Sequence, residues 1–147
     1  MKEDLSQLTL WNTPFWDAES LSVSVIADLE EVSTLTVVAA PDGIDRYPKY
    51  LLAFRAAAFK SEDESVAPTK EFSTLRREPR QSCTYYWLNS PWLREYEETK
   101  SLVDMYYGGR LKHFVVLGGD TIVEILAVED PEIKEVTSAR VVAVCEI

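Results

Sequence analysis

The chain has 147 residues, of which 46% are hydrophobic and 11% aromatic, so it is neither disordered nor of low complexity. Its length fits a single domain over residues 1–147. The formal net charge of −10 argues against nucleic-acid binding as the main activity. No secretory leader is recognisable, and no apolar run approaches the roughly 20 residues of a membrane span, so we expect a cytoplasmic protein with no membrane partner.

The first 20 residues are unusually aromatic for a chain end. Trp11, Phe15 and Trp16 surround Pro14. These rings predict an N-terminal arm over residues 1–20 that packs on the domain. The alternative is that Trp11 and Trp16 are exposed and anchor a partner.

Alternating apolar and polar residues predict strands along most of the remaining chain. The predicted strands are residues 21–25, 31–39, 50–60, 82–88, 111–117, 121–128 and 136–147, and the first two should form a hairpin. Ser90 followed by Pro91 predicts the start of a helix that ends near residue 104. We therefore expect an α+β domain that is β-rich, with a mostly antiparallel curved sheet or half-open barrel of about seven strands and one or two packing helices.

Few residues are available for metal or cofactor chemistry. His113 is the single histidine, and Cys83 and Cys145 are the two cysteines. These numbers exclude zinc sites built on several histidines, and no phosphate-binding or nucleotide-binding glycine motif is present. We expect buried free thiols, no metal site and no cofactor.

The best candidate for chemistry comes from the predicted hairpin at Gly118-Gly119. If these two residues form the loop, His113 lies directly opposite Glu124 on a face that is otherwise apolar. A carboxylate beside an imidazole could support general base catalysis. The alternative is a polar pair that fixes the strand register. A three-residue loop would instead place His113 opposite Ile125 and remove the pair.

No convincing nucleophile accompanies this pair. Ser82, Thr84 and Ser90 are possible hydroxyl nucleophiles, but no flanking residue activates them. Cys83 has no basic sequence neighbour that would lower the pKa of its thiol. The sequence therefore favours a protein without enzymatic activity.

Aromatic side chains and charge indicate recognition. Candidate binding residues are Trp11, Trp16, Tyr85, Trp87 and Trp92, because Tyr and Trp are enriched at binding hot spots. Strand alternation should send Tyr85 and Trp87 to one face and Tyr86 to the other. Residues 1–45 contain nine acidic residues and one basic residue, a net charge of −8. This charge could attract a basic partner, or it could serve solubility alone.

Our leading functional prediction is a non-enzymatic protein-binding module with an acidic surface, of inhibitor or immunity type. The alternative is a small-molecule-binding or weak hydrolytic site that uses His113 and Glu124. A third prediction is a homodimer joined through strand edges.

Three blocks of sequence also carry a resemblance. They are residues 50–55 (YLLAFR), residues 90–93 (SPWL), and residues 113–116 (HFVV) with residues 120–127 (DTIVEILA). Together they resemble small stand-alone bacterial proteins classed as domains of unknown function, over about residues 50–128. The resemblance implies a bacterial, cytosolic, β-rich protein and carries no activity.

Overall fold

The computed structural model describes residues 8–27, 34–63, 82–99, 110–119 and 121–138. These residues form an eight-stranded antiparallel sheet and one short helix. The strands are β1 (Leu8–Leu10), β2 (Ser22–Ala27), β3 (Thr34–Ala40), β4 (Lys49–Asp63), β5 (Thr84–Trp87), β6 (Lys112–Leu117), β7 (Thr121–Ala127) and β8 (Glu132–Val136), and the helix is α1 (Pro91–Thr99). The prediction of a β-rich, antiparallel fold is confirmed.

The long strand β4 connects the two halves of the sheet. The strand order is β1-β5-β6-β7-β4-β3-β2, and β8 pairs with the first residues of β4. A register shift between Ala56 and Ala58 interrupts β4. β4 lies between β3 and β7: residues 50–55 pair with β3 on one edge, and residues 56–63 pair with β7 on the other, with the bulge near the start of the β7 ladder. β1 and β2 end the strand order without pairing to each other, so the sheet is not closed into a barrel.

Each face of the sheet buries its own apolar cluster. The main core contains alternate residues of four strands, among them Leu35, Val37, Leu52, Phe54, Phe114, Val116, Val123 and Ile125. The opposite face of β5, β6 and β7 buries Tyr85, Trp87, Val115, Leu117 and Ile122. We call this second surface the helix face, because the start of α1 packs on it. Strand alternation places His113 and Glu124 on the helix face as well.

The N-terminal residues lie against β5 and contribute rings to the main core. Trp11 is 6% exposed and Phe15 is 2% exposed. The Trp11 N–H donates to the Thr84 carbonyl at 3.1 Å, and the Thr84 hydroxyl donates to the Trp11 carbonyl at 2.6 Å. The alternative in which Trp11 is exposed is therefore wrong, because its ring packs inward beside Phe114. Trp16 remains 38% exposed.

Several local predictions are confirmed. β2 and β3 form the predicted antiparallel hairpin. The helix begins at Pro91, and the Leu93 N–H donates to the Ser90 hydroxyl at 3.2 Å, so Ser90 is the N-cap. Tyr85 and Trp87 share one face, while Tyr86 packs against the main core.

The structure has a strand that the sequence analysis does not predict. β8 starts at Glu132, directly after Pro131, and ends at Val136, whereas most of the strand predicted over residues 136–147 lies outside the described residues. Pairing of β8 with β4 extends the ladder into this charged segment, whose alternation is weak. Residues 139–147, which include Cys145, and the predicted helix end near residue 104 lie outside the described residues.

Candidate functional site

Hydrogen bonds join three buried polar side chains on the helix face. Nδ1 of His113 lies 2.6 Å from Oγ of Ser90, and Nε2 of His113 lies 2.9 Å from Oε1 of Glu124. Ser90 is 0% exposed, His113 is 1% exposed and Glu124 is 8% exposed. Both ring nitrogens of the imidazole therefore have a protein partner. We call these three residues the Ser–His–Glu chain.

His113 and Glu124 meet in a register that differs from the predicted one. Glu124 lies directly opposite Val115, and His113 lies opposite Leu126. The turn is the reason: the Gly118 N–H donates to the Thr121 carbonyl at 2.8 Å, so the loop starts one residue later than predicted. This moves each partner by two residues and keeps every side chain on its original face. His113 thus reaches Glu124 diagonally across the two strands.

One assignment of the protons satisfies all three side chains. The Ser90 hydroxyl oxygen accepts the Leu93 N–H. When Nε2–H of His113 donates to the Glu124 carboxylate, Nδ1 is the acceptor for the Ser90 hydroxyl. The chain links the start of α1 to β6 and β7.

Aromatic rings enclose the imidazole on two further sides. The Trp87 ring centroid lies 5.3 Å from that of His113 with an interplanar angle of 32°. The Trp92 ring lies at the same distance with an angle of 81°, an edge-to-face contact. Nζ of Lys60 lies 4.1 Å from the Trp92 ring centroid, and Lys60 is the β4 residue opposite Glu124. The ring of His113 is therefore held in one orientation.

A pocket of about 300 Å³ opens beside this imidazole. It lies where β5 and β6 separate, because their pairing ends at Tyr86 and Phe114. Asn89 has a φ of 50°, a left-handed conformation that asparagine tolerates and that turns the chain from β5 into α1. Within the described part of the chain, the pocket is lined by Tyr86, Trp87, Leu88, Asn89, Leu93, Leu111, Lys112 and His113. Most of these side chains are apolar or aromatic, as in typical ligand sites.

Charged and polar groups sit at the mouth of the pocket. Nζ of Lys112 donates to Oδ1 of Asp130 at 2.9 Å, and the Tyr86 hydroxyl donates to Oδ2 at 3.1 Å. Burial, followed by the hydrogen bond to Asp130, raises the pKa of Tyr86 to about 12. The phenol is therefore a protonated donor at neutral pH. Arg110 is also exposed beside this edge of β6.

The five aromatic binding candidates do not form one surface. Trp11 lies in the main core, whereas Tyr85 and Trp87 lie in the helix-face cluster. Trp92 is half-buried on α1, and only Trp16 exceeds a third exposure. The structure therefore brings together Trp87, Trp92 and His113 of the candidates, with Glu124 on the far side of the imidazole.

The other candidate nucleophiles belong to the attachment of the N-terminal residues. The Ser82 hydroxyl donates to the Thr84 carbonyl at 2.8 Å, and the Cys83 thiol donates to the Ala18 carbonyl at 3.1 Å. Thr84 bonds to Trp11 as described above. Sequence reasoning identified Ser90 as an N-cap but missed it as the partner of His113, since only the docking of α1 on β6 brings them together. It also missed the pocket residues Leu93, Leu111 and Lys112.

No protein-family model, curated protein or solved structure matches this chain. Among the residues described above, no three His, Cys, Asp or Glu side chains are grouped so that they could hold a metal ion. In that same part of the chain, no helix is long and apolar enough to cross a membrane.

Proposed function

We propose that this protein binds a small, mainly apolar molecule in the pocket between β5 and β6. The observation that carries the proposal is a pocket of about 300 Å³ with a buried, fully hydrogen-bonded imidazole in its wall. This volume lies at the small end of the range for ligand sites, roughly 300–1,000 Å³. It fits a compact body of one or two rings.

The geometry favours binding over hydrolysis. Ser90 is completely buried, and it does not belong to the described lining of the pocket. Its oxygen accepts the Leu93 N–H, and its hydroxyl is directed to His113. The Ser–His–Glu chain has the hydrogen-bond pattern of a nucleophile, a base and an orienting carboxylate. Because Ser90 is completely buried, a molecule in the pocket does not reach its hydroxyl.

The Ser–His–Glu chain supports binding by holding the pocket wall in place. A wall whose rotamers are fixed before binding loses little conformational entropy when a ligand arrives. His113 is fixed by two hydrogen bonds and by the rings of Trp87 and Trp92. The imidazole therefore presents a rigid, flat surface to the pocket.

Indole, a neutral aromatic probe, tests this proposal by NMR. We expect indole to shift the side-chain resonances of Trp87 and His113, with little change at Trp16. Leu93→Trp should abolish the shifts, because a larger ring at a lining position fills the pocket.

Ile44→Trp provides the matched control, because Ile44 is 63% exposed and is not a described lining residue. It should leave indole binding unchanged. The melting temperatures of both variants should be measured to verify folding. Shifts that are spread evenly over all four tryptophans, or that persist in a folded Leu93→Trp variant, would contradict the proposal.

A second candidate function is the binding of a basic protein through an acidic surface. Trp16 is 38% exposed and is followed by the exposed Asp17 and Glu19. An oligolysine peptide should then bind at low salt, and Trp16→Ala should weaken this binding. No binding at low salt would remove this candidate. Homodimer formation through strand edges stays a prediction, with β1 and β2 at the two ends of the strand order.

A further inference from the structure

The polar end of a bound molecule has to lie at the mouth of the pocket. This inference rests on the proposed function. The one described polar side chain deep in the lining is His113, and both of its nitrogens already have partners. The other polar lining residues, Asn89, Lys112 and Tyr86, are exposed or partly exposed. A charged or hydrogen-bonding group placed at the bottom would lose its water without gaining a partner, which is costly.

The charged residue in the described lining is opposite in sign to the protein as a whole. Among the described lining residues only Lys112 carries a full charge, and its ion-pair partner Asp130 is not one of them. The whole chain carries −10. A cation in the wall of an apolar pocket favours an anionic over a cationic group at this point.

Lys112 can exchange its partner at low cost. Its side chain is 49% exposed, that of Asp130 is 52% exposed, and exposed ion pairs contribute little to stability. If the ammonium group turned to a ligand anion, Asp130 would keep the hydrogen bond from the Tyr86 hydroxyl. The pocket mouth thus contains a cation that is already positioned and easily released.

We propose that the pocket binds an amphipathic anion, with a compact aromatic or alkyl body against Trp87 and Leu93 and a single carboxylate at Lys112. The apolar lining holds the body, and the lysine selects the charge of the head group. The rigid imidazole of His113 forms one wall and makes no hydrogen bond to the ligand.

Three naphthalene probes that differ in the charge of the head group test this inference by isothermal titration calorimetry. They are 2-naphthoate, its neutral amide, and the cationic 2-naphthylmethylammonium. We expect the carboxylate to bind about fivefold tighter than the amide, the size of a partly exposed charge interaction, and the cation to bind weakest. Higher salt should reduce the advantage of the carboxylate.

Two charge variants complete the test. Lys112→Met should remove the carboxylate's advantage over the amide. Arg46→Met removes one positive charge in the turn between β3 and β4 and should preserve the advantage. Equal affinities for carboxylate and amide, a preference for the cation, or an unchanged advantage in Lys112→Met would overturn the inference while leaving the proposed function intact. Failure of all three probes to bind would instead count against the proposed function itself.

Discussion

Ser90 is predicted to stabilise the fold in two separable ways. Its oxygen caps α1 by accepting the Leu93 N–H, and its hydroxyl donates to the buried Nδ1 of His113. Loss of an N-cap costs about 1 kcal/mol, and a buried acceptor without a donor costs about 1–3 kcal/mol. Ser90→Ala should therefore lower the free energy of unfolding by about 2–4 kcal/mol, as measured by urea unfolding with tryptophan fluorescence.

A double-mutant cycle separates the two contributions. In a His113→Phe background Nδ1 is absent, so Ser90→Ala should cost only the cap, about 1 kcal/mol. The cost of leaving Glu124 without its partner is the same in both His113→Phe proteins and cancels in the cycle. The coupling energy should then be about 1–3 kcal/mol.

An equal cost of Ser90→Ala in both backgrounds would refute this reasoning. Ser90 would then be a helix cap alone, and the short contact to Nδ1 would contribute nothing to stability. Ser24→Ala is the matched control: Ser24 is exposed on β2, so this change should alter the free energy of unfolding by less than about 0.5 kcal/mol.

Two further predictions concern the β6–β7 turn and the mouth of the pocket. A Cβ at Gly118 would lie 2.9 Å from the Thr121 carbonyl oxygen and 2.9 Å from a Val23 methyl carbon, so Gly118→Ala should cost about 1–3 kcal/mol in urea unfolding. Gly119→Ala meets nothing closer than 3.7 Å and should cost clearly less; equal costs would contradict the packing argument. The pKa of the Tyr86 phenol is raised to about 12 in the folded state, so folding favours its neutral form. The stability that this phenol contributes is therefore complete below pH 10, the ordinary pKa of tyrosine, and is lost as the pH rises to about 12. Tyr86→Phe should remove an ionisation step near pH 12 from the ultraviolet absorbance titration and make stability fall less steeply there. Loss of a step near pH 10 instead would contradict the raised pKa.

Local sequence patterns predicted the elements of this fold well because each signal lies within a few residues. Alternation identified β4, β6 and β7, and Ser90-Pro91 marked the start of α1. The same patterns could not reveal that β4 pairs with β7 after a bulge, or that β1 pairs with β5. These pairings join segments far apart in the chain, and they depend on which apolar faces can be buried together.

Trp11 is buried, whereas the sequence left two alternatives open, a packed ring and an exposed anchor. A tryptophan near a proline in an acidic segment has the composition of an exposed anchor. Its position depends on two hydrogen bonds to Thr84 of β5, one to the carbonyl and one from the hydroxyl, more than 70 residues away in the sequence. The pocket was missed for a similar reason, since it exists only because β5 and β6 diverge after Tyr86 and Phe114.

The contact between His113 and Glu124 was anticipated despite a wrong register, and the reason is general. The error moved the pairing by two residues, which is one full period of a strand, so every side chain stayed on its predicted face. Long polar side chains can still meet diagonally at that offset. A register error of one residue would have moved the side chain of Glu124 to the opposite face of the sheet, in the main core, where an unpaired carboxylate is costly. The sequence therefore predicts the sheet face on which His113 and Glu124 lie better than it predicts which residues stand directly opposite each other. The contact of Ser90 with His113 was not predictable in this way, because it depends on where α1 packs on the sheet.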